Sequence, residues 1–196
     1  MFDSSEIVLG IDPGLTHCGY GAIRRIPGGA EAIAYGEITT DPATSTPDRL
    51  LVLAEEMETL IARLSPAALA VERILFQNNA KTAISVGQAS GVALLTAARA
   101  GIPVFLYSPN EVKLAVTGSG AAQKRQVQLM VARLLSLKSP PDSPDAADAL
   151  ALALSHLQSA NLRSLVDTST AASTAASTPA PGLATAISAA LARENA

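Results

Sequence analysis

The chain has 196 residues, 48% hydrophobic, one cysteine (Cys18) and a net charge of −3. That apolar fraction excludes a disordered chain, the length suffices for a sizeable core, and a lone cysteine excludes an intramolecular disulfide or a cysteine-cluster zinc site. The total charge argues against a polyanion binder, yet residues 1–72 carry 4 basic and 11 acidic side chains, residues 73–141 carry 8 and 1, residues 142–160 add three Asp, and residues 161–196 are neutral. Met1–Glu6 lacks the basic region and apolar run of a secretory signal. Thr82–Ala98 is interrupted by polar residues and slightly short for a membrane span, and Thr168–Ala192 is mostly Ala, Ser and Thr. A soluble, cytoplasmic protein without a membrane partner is expected.

Along the chain, Ile7-Val8-Leu9-Gly10-Ile11 reads as a buried strand ended by Asp12-Pro13-Gly14. Gly19–Ile26 and Glu31–Thr39 bracket Pro27-Gly28-Gly29 and predict a hairpin. Pro47, after Thr46, suits a first helical position, and Leu50, Leu53, Ala54, Met57, Leu60, Ile61 and Leu64 follow at helical spacing. Ala67–Val71 is a second buried strand, ending at Glu72; Asn79–Ala100 is a nearly uncharged helix closed by Gly101; Ile102–Tyr107 is another strand. A helix is expected from near Ala121 through Leu134, and a last one from a Ser143 cap with Pro144 in first position to about Leu157. The order β-β-β-α-β-α-β-α-α predicts an α/β fold. Three strands joined by short turns are antiparallel, and strands separated by helices are parallel, giving a mixed five-stranded sheet with helices on both faces. Residues 1–160 form the folded domain. Residues 161–196, with 21 Ala, Ser or Thr, are expected to be a disordered tail, with a short helix near Ala184–Arg193.

Four carboxylates stand where apolar runs end. Asp12 and Glu72 terminate strands, on the side of a parallel sheet where ligands gather. Asp145 and Asp148 are three apart, hence on one face of the last helix, which is uncharged from Ala149 to Leu162 and so reads as largely buried. Each has a bland alternative: Asp12 as a turn initiator, Glu72 as a partner of Arg73 or Lys81, Asp145 as an acid favoured by the helix dipole. Together they are costly to bury unpaired, and two divalent ions, Mg²⁺ or Mn²⁺, would offset four charges. Carboxylate-held metals drive in-line phosphodiester hydrolysis. Lys81, Arg99, Lys113, Lys124, Arg125, Arg133 and Lys138 offer phosphate contacts, although any one of them could be an ordinary solvated position. Lys113 and Lys124 flank the flexible Thr117-Gly118-Ser119-Gly120, and Leu75-Phe76 places an aromatic near the acids, as core or as a base-stacking wedge. His17 beside Cys18 is read as loop packing and His156 as structural.

The segments Ile7-Val-Leu-Gly-Ile-Asp-Pro-Gly14, Gly19-Tyr-Gly21, Val71-Glu72 followed by Asn79, Gly87-Gln-Ala89 with Gly91, Lys124 with Gln126-Val-Gln128 and Met130-Val131, and Pro144-Asp-Ala-Ala-Asp-Ala-Leu150 resemble the RuvC family of crossover (Holliday) junction endodeoxyribonucleases. The resemblance covers residues 6–160 and implies an RNase H-like fold and a homodimer that clasps a four-way DNA junction in recombination and repair. Each subunit would make one of two symmetric nicks, working with the RuvA and RuvB branch-migration proteins. It places the family's catalytic acids on Asp12, Glu72, Asp145 and Asp148, and DNA-contact positions on Lys113 and Lys124. Further DNA contacts are expected from Leu75, Phe76, Asn79, Lys81 and Arg125. Two positions depart from the family pattern: Leu75 stands where an aromatic is usual, with Phe76 next, and Ser90 where Arg is frequent. Gly10-Ile11-Asp12-Pro13-Gly14 also resembles the first phosphate loop of actin-like ATP-binding proteins. Those need a second related domain, for which about 155 folded residues are too few.

Overall fold

A computed structural model describes residues 6–74 and 80–175, the side chains of residues 80–82 and 161–175 excepted. Strands β1 (Ile7–Asp12), β2 (His17–Ile26), β3 (Gly29–Thr39), β4 (Ala68–Glu72) and β5 (Val104–Tyr107) form one sheet in the order β3-β2-β1-β4-β5. β1–β2 and β2–β3 pair antiparallel, β1–β4 and β4–β5 parallel, as the connection lengths predict. The helices are α1 (Thr46–Leu64), α2 (Ala80–Arg99), α3 (Pro109–Thr117), α4 (Lys124–Leu134) and α5 (Pro144–Ala175). By contacts the chain divides after Ser159 into two units. The first holds the sheet and its helices; of the second, the structure describes a helical backbone through Ala175. Among the described residues no helix is long and apolar enough to cross a membrane.

Alternation along the strands sends side chains to two cores. Leu9, Ile11, Ala22, Leu69 and Val71 pack with Leu53, Met57 and Ile61 of α1 and Ala89, Ala93 and Ala97 of α2. Val8, Ile23, Ala70 and Tyr107 pack on the other face with Val112 and Val116 of α3, Val127 and Val131 of α4, and Leu150, Leu152 and Leu154 of α5. His156 is buried there, its ring 4.4 Å from that of Phe105 and its Nδ1 2.9 Å from the Tyr107 hydroxyl, in the structural role its sequence position indicated.

Several boundaries differ from the periodicity reading. α1 is capped by Ser45, one residue earlier than read, so Thr46 is already helical. Between β5 and α4 lies a helix that periodicity missed, α3: Ser108 accepts from the Glu111 amide and Glu111 accepts from the Ser108 amide, a capping box with Pro109 behind it. Its nine residues present just two buried valines, too few to register as a periodic stripe. α4 starts at Lys124, where Gln126 accepts from the Gln123 amide, rather than at Ala121. α5 runs past Leu157 to Ala175, because alanine favours helix and no Pro or Gly intervenes before Pro179.

The feature that positions the site is how closely α5 lies on β1 and β2. A Cβ on Gly10 would land on the Ala149 carbonyl, one on Gly19 on the Asp145 carbonyl, and one on Gly21 would sit 2.6 Å from the Leu150 amide. Gly10→Ala should therefore destabilise the protein by about 3 kcal/mol or more in urea unfolding, since backbone rather than a flexible side chain would have to move. Gly29→Ala, which meets nothing within 4 Å, should stay within about 0.5 kcal/mol of wild type.

Candidate metal centre

Asp12 is the last residue of β1 and Glu72 the last of β4. The parallel register pairs Ile11 with Val71, so both carboxylates leave the sheet at the same end of neighbouring strands. Over that end lies the first turn of α5, where the Ser143 hydroxyl accepts from the Ala146 amide at 3.0 Å. Asp145 in this turn and Asp148 at the start of the next project from one face of α5. Carboxylate oxygens of Asp12, Asp145 and Asp148 all lie within 4.8 Å of one another. Glu72 falls outside that triplet but lines the same cleft as Asp12 and Asp148, with Pro109, Val112, Lys113, Lys124, Val127 and Leu152 completing a cavity of 210 Å³.

The electrostatics are those of an anion cluster short of positive charge. Burial, then the charges of Glu72, Asp148 and Asp145, pushes Asp12 up to about 8. Glu72 is raised by burial and by Asp148, against a hydrogen bond with Asp12 and the charge of Lys124. Asp148 is raised by burial despite its hydrogen bond and ion pair with Lys124, whose Nζ lies 2.7 Å from Oδ2. Burial pulls Lys124 down, but its bond to Asp148 and the charges of Asp148, Asp145 and Asp12 hold it above the usual ammonium range. Hard oxygen donors on one spot, partly buried and with excess negative charge, fit a divalent cation of the Mg²⁺ or Mn²⁺ type. Burial pushes the thiol of Cys18 up to about 12.

The structure thus gathers the four acids that the sequence singled out. The Arg73 alternative falls away for Glu72, since Arg73 donates instead to the Leu106 carbonyl at 3.2 Å. Lys113 on α3 and Lys124 on α4 both line the cleft. Arg125 is exposed on α4 and does not line it, and Arg99 is paired with Glu58 at 3.2 Å on the α1–α2 side of the sheet. Leu75, Phe76 and Asn79 lie outside the described residues; Lys81 stands in the first turn of α2, its side chain likewise outside them. Sequence reading gave no role to Glu37 of β3, which accepts from the Ser143 hydroxyl and lies 3.4 Å from His17 Nδ1. The two residues are 106 apart in the chain, and no local signal could have joined them.

Because the folded protein holds Asp12, Glu72 and Asp148 above their ordinary range, it binds more protons than the unfolded chain between about pH 4 and 8. Stability conferred by those raised values is full below pH 4 and lost as pH climbs through 8. In EDTA, the melting temperature should fall by several degrees between pH 5 and 8. Adding Mg²⁺ or Mn²⁺ at pH 8 should restore it, and Asp12→Asn should flatten the profile, all measurable by differential scanning calorimetry.

The family model described as "Crossover junction endodeoxyribonuclease RuvC" matches residues 8–156. A RuvC of Salinispora arenicola is 52% identical over 158 residues, covering 80% of this chain and 90% of that protein. One of Syntrophomonas wolfei is 50% identical over 162 residues, covering 83% and 94%. Among solved structures, T. thermophilus RuvC in complex with Holliday junction substrate superposes with a TM-score of 0.77 at 37% identity, covering 80% of this chain and 96% of that one. Matched across the whole sheet, through α5 as far as His156, the chain belongs to the RuvC family of crossover junction endodeoxyribonucleases.

Proposed function

We propose that this chain resolves Holliday junctions in recombination and DNA repair, by paired symmetric hydrolytic nicks. The observation that carries the reading is the meeting of Asp12, Asp145 and Asp148 within 4.8 Å, with Glu72, Lys113 and Lys124 around the same cleft. In this reading Asp12, Glu72, Asp145 and Asp148 hold two Mg²⁺ ions per subunit, with Mn²⁺ able to substitute. Metal bound there supplies an activated water and charge stabilisation at the leaving oxygen. Water attacks phosphorus, the bond to the 3′ oxygen breaks, and a 5′-phosphate and a 3′-hydroxyl remain. The protein's part is placement: strand ends and the first turn of α5 aim the carboxylates, and Lys113 and Lys124 bring positive charge to the scissile phosphate.

The DNA face in this reading extends from Lys113 and Lys124 to Arg125, Lys81, Asn79 and one of Leu75 or Phe76 at the crossover. Two-fold junctions require two active sites, and exposed Ile84, Leu94 and Leu95 give α2 an apolar face for a homodimer. The dimer works in the cytoplasm with the RuvA and RuvB branch-migration complex.

On a labelled synthetic four-way junction with Mg²⁺ or Mn²⁺, wild type should nick symmetrically and leave linear duplex intact; equal cutting of both would overturn the reading. Asp12→Asn should lower nicking by at least about 100-fold while junction affinity changes little. Lys113→Ala should weaken junction binding and reduce the slope of log K against log salt by about 1, measured by fluorescence anisotropy.

A further inference from the structure

We propose that Glu37 is a positioning residue, which by holding the Ser143 hydroxyl seats the first turn of α5 and fixes Asp145 and Asp148 against Asp12. The proposal rests on the reading of these acids as metal ligands. Its basis is a row of residues that crosses three strands. Asp12 of β1 pairs with Gly19 of β2, and Gly19 pairs with Glu37 of β3. Cross-strand partners point to the same face, here the one that α5 covers. The first turn of α5 meets this row at three points. Asp145 and, at the start of the next turn, Asp148 face Asp12, the Asp145 carbonyl abuts Gly19, and the capping Ser143 donates to Glu37.

Each point does something different. Gly19 sets how closely the turn approaches, because any side chain there would strike the Asp145 carbonyl. Asp12 brings a like group against the turn, its carboxylate oxygens lying with those of Asp145 and Asp148 within 4.8 Å of one another. Glu37 supplies the attraction that the row otherwise lacks. Its Oε1 accepts from the Ser143 hydroxyl while Ser143 Oγ still accepts from the Ala146 amide, so one hydroxyl ties the helix end to the sheet edge and caps the helix. A carboxylate at this helix N-terminus is also favoured by the backbone dipole. His17 Nδ1, 3.4 Å from the other carboxylate oxygen, limits the rotamers open to Glu37. Outer-shell groups that orient metal-binding side chains commonly change metal affinity or activity 10- to 100-fold when removed.

The test uses the full-length protein with Mn²⁺ as probe, titrated by isothermal calorimetry, alongside single-turnover nicking and junction affinity. Glu37→Ala should raise the Mn²⁺ dissociation constant about tenfold, slow nicking at limiting Mn²⁺, and leave junction affinity unchanged. Glu37→Gln, whose amide oxygen still accepts from Ser143, should stay within about twofold of wild type. Ser143→Ala, which also loses the cap on the Ala146 amide, should impair at least as much as Glu37→Ala, and the double variant should be no worse than Ser143→Ala alone, as expected where Glu37 acts through that one hydroxyl. Wild-type Mn²⁺ affinity in Glu37→Ala, or equal impairment in Glu37→Gln, would overturn the proposal while leaving the metal-site reading intact. Undiminished Mn²⁺ binding by Asp12→Asn would overturn both.

Discussion

Everything at this site depends on a helix resting directly on the backbone of two strands. α5 reaches β1 and β2 at Gly10, Gly19 and Gly21, where no side chain stands between. Glycine inside a strand gives up β-propensity and packing, so three of them in the middle of a sheet is a real cost. Burial all round this part of α5 offsets it: Ala146, Ala147, Ala149, Leu150, Ala151, Leu152 and Ala153 are all nearly inaccessible to solvent. The gain for chemistry is distance. A helix held off by ordinary side chains would keep Asp145 and Asp148 apart from Asp12, and four carboxylates would lie scattered over a surface.

Proximity also explains the charge pattern along the chain. The acidic N-terminal segment contributes Asp12 and Glu72 through β1 and β4, and the Asp pair enters through α5. The basic segment returns on the same face of the sheet as α3 and α4, with Lys113 and Lys124 at the cleft. Acid and base are separated in sequence but interleaved in space. A net charge of −3 therefore says little about partners, because the quantity a polyanion would meet is the local field around the cleft.

Much of this was legible in the residues themselves. Strands bounded by Asp12 and Glu72, the hairpin at Pro27-Gly28 and the Asp145–Asp148 spacing are local patterns, and local patterns survive folding. What escaped was of two kinds. α3 was invisible to periodicity because a two-turn helix buries too few side chains, although Ser108-Pro109-Asn110-Glu111 spells its cap. Glu37 escaped for a deeper reason. Its partner is 106 residues away, and the pairing exists through the β2–β3 register and the seating of α5, neither of which a window of sequence contains. The glycines fall between these cases: Gly10, Gly19 and Gly21 stood out as a motif, but their purpose appears when Ala149, Asp145 and Leu150 are found against them.

The ion pair between Lys124 and Asp148 shows why the cluster remains receptive to a cation. One ammonium at 2.7 Å serves one carboxylate, and four carboxylates share the neighbourhood. Asp12, raised to about 8, registers the remaining deficit. An arginine at position 124 would have held Asp148 in a bidentate pair that is hard to open. Lysine instead carries a compact charge on a flexible stem, with 58% of its side chain exposed, so little besides the ion pair itself retains it. The cluster is thus balanced enough to fold and unbalanced enough to bind. In the proposed reading, a divalent ion on Asp148 would take over the carboxylate that Lys124 now holds, and the ammonium would be left to face a phosphate.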